Sequence, residues 1–200
     1  MHPSGLFRVE DETALLEHLA TFPFSTIAAS VDGRAMVAHT PVIARRIDGD
    51  LVLDFHLSRG NALTPAVAEG FHAVAVSLAA DAYVSPDWYD DKDSVPSWNY
   101  VSVEVAGPVA ALDEAGLIAV VDDLSAIEEA RLLPKLPWTR HKMSQGKFDR
   151  LLRGIVGARM VVERFEGTHK LSQNKSAADR VGVMAALADH PIGRRMRDLG

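Results

Sequence analysis

The sequence contains no cysteine, which excludes disulfide bonds, thiolate metal sites and cysteine nucleophiles. It also lacks an apolar run of the roughly 20 residues needed to cross a bilayer. Its first residues do not have the basic and apolar regions of a secretion signal. These absences predict a cytoplasmic protein that does not enter a membrane. The hydrophobic and charged fractions, 48% and 24%, are typical of a folded chain.

Several motifs that mark common enzyme classes are also missing. We find no P-loop, no G-x-G-x-x-G and no G-x-S-x-G pattern. The eight histidines do not show the spacing of a metal site, so we expect no metal. The sequence identifies no catalytic residue and leaves open whether the protein is an enzyme.

The net charge of −6 is unevenly distributed along the chain. Residues 1–130 contain 6 Lys and Arg against 21 Asp and Glu, a net charge of −15. Residues 131–200 contain 15 against 6, a net charge of +9. This division is typical of a basic face that binds anions or nucleic acid. The interpretation that we favour is that the two regions neutralise each other within the chain or across a dimer.

The hydrophobic pattern predicts a mainly β chain with peripheral helices, an α+β fold. Asp-Gly pairs at 32–33 and 48–49 separate three strand-like runs and predict antiparallel hairpins. Consecutive strands without intervening helices favour a small barrel over a doubly wound sheet. The predicted strands are 24–30, 35–46, 50–58, 71–86, 97–112 and 155–167. The predicted helices are 11–22, 61–70, 113–130, 144–153 and a final helix from Ser176, which forms a capping box with Asp179.

One stretch, DLVLDFHLSRGNA (50–62), predicts a phosphate site. On a strand, Asp54, His56 and Ser58 share one side, and that side leads to Arg59 and Asn61 at the start of a helix. A guanidinium, a hydroxyl, an amide and unpaired helix N–H groups all suit a phosphate. The alternative is a plain strand-to-helix turn with a cap.

Three further features have a functional and a structural interpretation. His39 lies two residues before Pro41, a residue that belongs at a sheet edge or bulge, but an isolated histidine is more often structural. Four aromatic residues around the loop 85–100 could stack on a flavin, a haem or a base, or could form a lid or dimer contact. The stretch HKLSQNKSAADR (169–180) could bind a phosphate or a polar ring, or could be a capped polar loop.

Five stretches occur in a fixed order: FSTIAAS…GRAMVAHTPV, SPDWY, VPSWNY, EVAGPV and KLSQNKSAADR. With these, the chain resembles the PaiB-like proteins, named FMN-binding negative transcriptional regulators, over about residues 1–188. The resemblance implies an FMN-binding split β-barrel of the pyridoxamine-phosphate-oxidase type with C-terminal helices. It also implies a homodimer with FMN near the interface. We expect one domain over 1–200, with a helical insertion at 113–153 and a C-terminal helix and basic tail at 168–200.

The resemblance implies cofactor-binding residues in four segments. In such barrels the second and third strands and the following turn usually hold the flavin and its phosphate. The W-N-Y and K-L-S-Q-N motifs are expected near the ring or the phosphate, the second of them from either chain of the dimer. In this sequence the expected residues are Ala38, His39, Thr40, His56, Leu57, Ser58, Arg59, Asn61, Trp98, Asn99, Tyr100, Lys170, Gln173 and Asn174.

Three functions follow as hypotheses. The resemblance implies an FMN-binding negative transcriptional regulator. The alternatives are a flavin- or haem-linked oxidoreductase, FMN-dependent if the protein is an enzyme, and a flavin-binding module without catalytic activity. FMN is the expected cofactor and haem the less favoured one. DNA is implied as a partner by the resemblance but is weakly supported by charge, because residues 1–130 would repel its phosphates.

Overall fold

The computed structural model describes residues 2–199, so both ends of the expected 1–200 domain lie outside the described residues. The chain forms two compact units. Unit 1 contains residues 2–18, 77–104 and 165–199, and unit 2 contains residues 19–76 and 105–164. Each unit therefore combines segments that are distant in the sequence.

Eight strands and six α-helices are present within residues 2–199. The strands are β1 (Arg8–Val9), β2 (Phe24–Val31), β3 (Arg34–Ile47), β4 (Asp50–Ser58), β5 (Phe71–Val84), β6 (Ser97–Ala111), β7 (Ile155–Val161) and β8 (Arg164–Lys170). The helices are α1 (Glu12–Thr21), α2 (Thr64–Val67), α3 (Glu114–Ala130), α4 (Lys147–Leu152), α5 (Ala177–Ala186) and α6 (Pro191–Asp198). Within residues 2–199, none of these helices has both the length and the apolar character that crossing a membrane requires.

The strands form one sheet in the order β1-β8-β6-β5-β2-β3-β4-β7. An additional pairing of β6 with β7 closes six of these strands into a barrel, while β8 and β1 extend the sheet beyond β6. Closure leaves fewer unpaired strand edges. The predicted mainly β barrel with peripheral helices is confirmed.

The first two hairpins form at the predicted Asp-Gly pairs. Asp32 and Gly33 have φ angles of 51° and 73°, and Asp48 and Gly49 have φ angles of 52° and 96°. Two positive φ angles in a two-residue loop match the turn that fits the twist of a hairpin. The turns set the register in which β3 pairs first with β2 and then with β4. Pro41 lies where the pairing partner changes.

Three predicted elements differ from the structure. The helix predicted over 61–70 is only Thr64–Val67, because Asn61 forms a turn in which its Oδ1 accepts from the Leu63 N–H at 2.9 Å. The strand predicted over 155–167 is two strands. The chain changes partners between them, since the N–H groups of residues 162 and 163 donate to β4 and β6 respectively. Residues of the predicted basic tail form α6, which His190 caps through its Nδ1.

Candidate functional site

Strand alternation separates the three predicted residues of β3. Ala38 and Thr40 are 2% and 3% exposed and point into the barrel. His39 lies on the outer face, where its Nδ1 is 3.1 Å from Thr26 Oγ1 and its ring stacks on Phe24. Of the three, His39 is the residue whose side chain can reach a ligand outside the barrel.

His56, on β4, lines a cavity of about 380 Å³ that we call the His56 cavity. Its Nδ1 is shielded from water and has no hydrogen-bond partner among the described residues. Burial lowers the pKa of His56 below 6.5, so the ring is neutral at pH 7. A neutral ring has one donor and one acceptor nitrogen, and the shielded Nδ1 would reach a ligand only after the ring turns toward the cavity. The other residues lining the cavity are Pro41, Val121, Leu124, Ser125, Glu128, Glu129, Trp138 and Ile155.

Arg59 lies beside this cavity, at the end of β4. Its Nε donates to the Arg153 carbonyl at 2.8 Å and its Nη2 to the Ile155 carbonyl at 3.5 Å. Ile155 lines both the His56 cavity and a second cavity of about 340 Å³. Arg59 and Arg153 line the second cavity together with acidic residues of α3 and α4. Arg59 is therefore connected to the His56 cavity through its bond to Ile155, and it lines the second cavity itself.

The turn after Arg59 does not offer the expected unpaired helix N–H groups. The N–H groups of Leu63 and Thr64 donate to Asn61 Oδ1 and to the Asn61 carbonyl. Asn61 therefore holds the turn before α2, whose N-cap is Leu63, and α2 is too short to attract an anion by its dipole. Arg59 and the exposed Ser58 hydroxyl are the groups in this turn that suit a phosphate. Leu57 points into the barrel and is 2% exposed.

A buried ion cluster fixes α3 over the strands. Asp54 is 1% exposed and accepts two hydrogen bonds from Arg159, at 2.6 and 2.9 Å. Arg45 lies 3.1 Å from Asp54 and donates to Asp123 of α3 at 2.9 Å. The bond to Asp54 raises the pKa of Arg159. Because α3 supplies one wall of the His56 cavity, this cluster positions part of the candidate site.

The predicted residues in unit 1 form hydrogen bonds within the fold. Asn99 is 1% exposed and donates to Ser172 Oγ at 2.9 Å. Gln173 accepts from the Leu171 N–H at 2.7 Å and donates to the His169 carbonyl, so both ends of its amide have backbone partners. Lys170 ends β8, and its Nζ donates to Ser97 Oγ at 2.9 Å. Asn174 is exposed in the following turn.

Other residues of the stretch 169–180 bind the loop before β6. Asp179 is 5% exposed and accepts from the N–H groups of Asp90 and Asp91, at 2.8 and 3.2 Å. Lys175 lies 4.3 Å from the centre of the Tyr89 ring. The Ser176 hydroxyl caps α5, as the sequence predicted. Residues 169–180 therefore attach α5 to the loop that precedes β6.

The aromatic residues of that loop have different surroundings. Tyr89 is 2% exposed in a core cluster with residues of α5 and α6. Trp98 is 54% exposed and packs edge-on against Tyr83. Tyr100 is half-buried, and its burial raises the pKa of its hydroxyl. Among these, Trp98 has the most ring surface available for stacking on a ligand.

The structure thus divides the predicted site residues between the two units. Thr40 and His56 are directly joined, because the Thr40 hydroxyl donates to the His56 carbonyl at 2.7 Å. Trp138 and Leu124, which line the His56 cavity, are absent from the predicted set. The sequence signal for Trp138 was its place in the Pro-bearing loop LLPKLPW (132–138). Within residues 2–199, no group of three His, Asp or Glu side chains is arranged to hold a metal ion.

Solved structures with the same fold define the class of protein. The FAD and haem binding protein of Mycobacterium smegmatis matches with a TM-score of 0.60 and 19% identity, covering 87% of this chain and 78% of that one. The flavocytochrome Anf3 of Azotobacter vinelandii matches with a TM-score of 0.55 and 18% identity, covering 84% and 72%. The chain has a split β-barrel fold, as the sequence predicted.

Sequence comparison gives the family. The model described as "Putative FMN-binding domain" matches residues 1–164, and the chain belongs to that family. The Bacillus subtilis protein called protease synthase and sporulation protein PAI 2 is 26% identical over 202 residues, covering 100% of this chain and 96% of that protein. The predicted membership of the PaiB-like FMN-binding family is confirmed.

Proposed function

We propose that this protein binds FMN in unit 2 as a homodimer and acts as a negative transcriptional regulator of the PaiB type. The observation that carries the FMN assignment is the His56 cavity, with Arg59 bonded to the carbonyl of its lining residue Ile155, in a chain of an FMN-binding family. Full-length similarity to a sporulation protein supports the regulatory part of the proposal.

The residues around the His56 cavity fit a flavin mononucleotide. Apolar side chains, including those of Pro41, Leu124 and Trp138, would pack on the flavin ring, and His56 would bond to a polar atom of the ring. Arg59 and Ser58 would hold the phosphate through charge-assisted hydrogen bonds. Bound FMN would supply redox chemistry or act as a sensed ligand.

The outer face of the barrel in unit 2 supports the dimer. Phe24 and Val37 are 67% and 55% exposed on this face. On the same face, β2 lies between β3 and β5. Thr26 pairs with His39 and Val76, and Ala28 pairs with Val37 and Val74. These side chains therefore lie next to one another across three strands. A second copy of the chain would bury this apolar area. The predicted position of His39 near an interface agrees with this proposal.

A DNA contact would have to use cations that carboxylates do not already neutralise. Arg194, Arg195 and Arg197 are exposed on α6, and two of them donate to backbone carbonyls rather than to carboxylates. Carbonyl partners leave the positive charge available to phosphate. We therefore place the proposed DNA contact in the C-terminal basic residues.

The FMN site is tested by replacing Arg59. Arg59→Ala should weaken FMN binding by about 1.5–3 kcal/mol, the contribution of a charge-assisted hydrogen bond. Titration calorimetry with FMN measures this change. The control is Arg34→Ala, which removes an exposed arginine at the start of β3. Equal FMN affinities in the two variants would remove Arg59 from the phosphate role.

A further inference from the structure

A third cavity lies in unit 2 beside the proposed flavin site. It has a volume of about 420 Å³ and lies between the second half of α3 and the segment 133–141. We call it the Trp138 cavity. Ser125 and Trp138 line both this cavity and the His56 cavity. Trp138 therefore belongs to the lining of two neighbouring cavities.

The lining of the Trp138 cavity is mainly apolar. Ala126 and Ala130 of α3 form one side, and their small side chains leave the space open. Leu133, Pro137 and Trp138 form the opposite side. The cavity is open to solvent, and a flat or branched apolar molecule could lie against both of these sides.

Hydrogen bonds hold the opposite side of the cavity in place. The backbone N–H of Trp138 donates to Glu129 Oε2 at 2.8 Å, and Lys135 forms an ion pair with the same carboxylate. These contacts lower the pKa of Glu129. Lys142 donates to the Pro137 carbonyl at 2.7 Å. The segment 133–141 is therefore attached to α3 by its own hydrogen bonds and ion pair, as a preformed site requires.

The charged residues that line the cavity, Asp122 and Arg140, lie 3.4 Å apart and pair with each other. Beside the cavity, Glu128 lies 3.5 Å from Arg131 and Glu129 pairs with Lys135, while Lys142 donates to a backbone carbonyl. The lining, which also includes His141, therefore offers a paired carboxylate and guanidinium rather than a free charge to a ligand. An ionic ligand would lose its hydration without a matching partner. The chemistry of the site therefore favours an uncharged molecule.

We propose that the Trp138 cavity binds a small, uncharged, mainly aromatic molecule next to the flavin site. This goes beyond the proposed function, and its test needs no FMN. If both sites are occupied, the two ligands lie on either side of Trp138. Such a molecule would be the substrate of a flavin enzyme or the signal of a flavin-containing regulator, and the same cavity serves in both cases.

The first test fills the cavity and uses a neutral fluorescent probe. Ala126→Leu combined with Ala130→Leu should weaken binding of N-phenyl-1-naphthylamine at least tenfold. The control is Ala115→Leu combined with Ala119→Leu, which makes the same change at exposed positions of the same helix. The control should bind the probe as the unchanged protein does. Equal loss in both variants, or in neither, would overturn the proposal.

The second test concerns charge. The anionic probe 1-anilinonaphthalene-8-sulfonate should bind the unchanged protein at least fivefold more weakly than the neutral probe, and filling the cavity should have little effect on it. Tighter binding of the anionic probe, lost on filling, would contradict the uncharged class. FMN titration of the filled variant separates the two proposals. If the filled variant still binds FMN but no longer binds the neutral probe, the Trp138 cavity is supported as a separate site. This conclusion does not depend on the FMN affinity of Arg59→Ala.

Discussion

The two units use their polar residues in different ways. In unit 1, the motif residues Asn99, Gln173 and Asp179 bond to neighbouring backbone or side-chain groups of the same unit. In unit 2, His56 lines a cavity and has a nitrogen without a partner among the described residues, and Arg59 lines a second cavity. These motif residues of unit 1 are thus engaged within the fold, and the cavities of unit 2 are where we propose that FMN and a second ligand bind.

A motif that is typical of a family can have a structural role, a ligand-binding role or both. The W-N-Y and K-L-S-Q-N stretches are specific in sequence, and this specificity is explained by the connections that they make within unit 1. Asn99 and Gln173 would have to break existing hydrogen bonds in order to bind FMN through their amides. The expected contacts of these motif residues with FMN stay predictions, and their internal bonds give them a structural role in either case.

The largest expected effect breaks the packing of unit 1. A Cβ atom added at Gly182 of α5 would lie 1.9 Å from the Trp88 carbonyl oxygen, so α5 or the loop must move. Gly182→Ala should lower the free energy of unfolding by about 3 kcal/mol, although alanine favours a helix. Urea denaturation measures this change. The control is Gly5→Ala, where an added Cβ meets nothing within 4 Å. Equal stability of the two variants would show that this packing is not tight.

The next effect tests whether the apolar face of unit 2 is an interface. Val37→Asp should weaken dimerisation about 100-fold, or about 2.7 kcal/mol, because a buried carboxylate would lack a partner. Sedimentation across a range of concentrations measures the dimer constant. Val181→Asp on α5 of unit 1 is the matched control, since Val181 is 60% exposed and Val37 is 55% exposed. A monomer of the unchanged protein at micromolar concentration would contradict the dimer.

The smallest effect concerns a buried histidine of unit 1. Burial, together with the nearby His169 and Arg195, lowers the pKa of His18 to about 4, although its Nε2 lies 3.2 Å from the Ser77 carbonyl oxygen, which acts in the opposite direction. Since the unfolded chain takes up this proton near pH 6.5, stability should fall as the pH drops from 6.5 to 4. After allowance for partial solvation of the ring, the free energy of unfolding should fall by about 2 kcal/mol over this interval.

The variant His18→Gln isolates this contribution, because its amide keeps a polar group near Ser77 but does not titrate. Urea denaturation at pH 7 and pH 4.5 measures both proteins. The unchanged protein should lose more stability than the variant over this interval. Equal losses would show that His18 does not carry the pH dependence.

The sequence predicted features that depend on local chemistry. The Asp-Gly hairpins and the cap at Ser176 were both visible in short stretches of sequence. The division of one predicted strand into β7 and β8 was not visible, because it depends on which distant strands accept the N–H groups there.

The candidate site was predicted only in part, for the same reason. His56 and Arg59 stood out because polar residues follow one another at a strand end. Trp138 and Leu124 were missed, since their place at the His56 cavity depends on how α3 and the segment after it pack on the barrel. The internal bonds of Gln173 could not be predicted either, because a polar side chain in a sequence does not reveal its partner.

The measurement that tests the central claim most directly is the visible absorption spectrum of the purified protein after addition of FMN and desalting. Flavin binding in unit 2 predicts bands near about 370 and 450 nm that remain with the protein after desalting. A single strong band near about 400 nm before FMN is added would instead identify haem. A colourless protein that does not retain FMN would contradict the assignment of FMN to this chain.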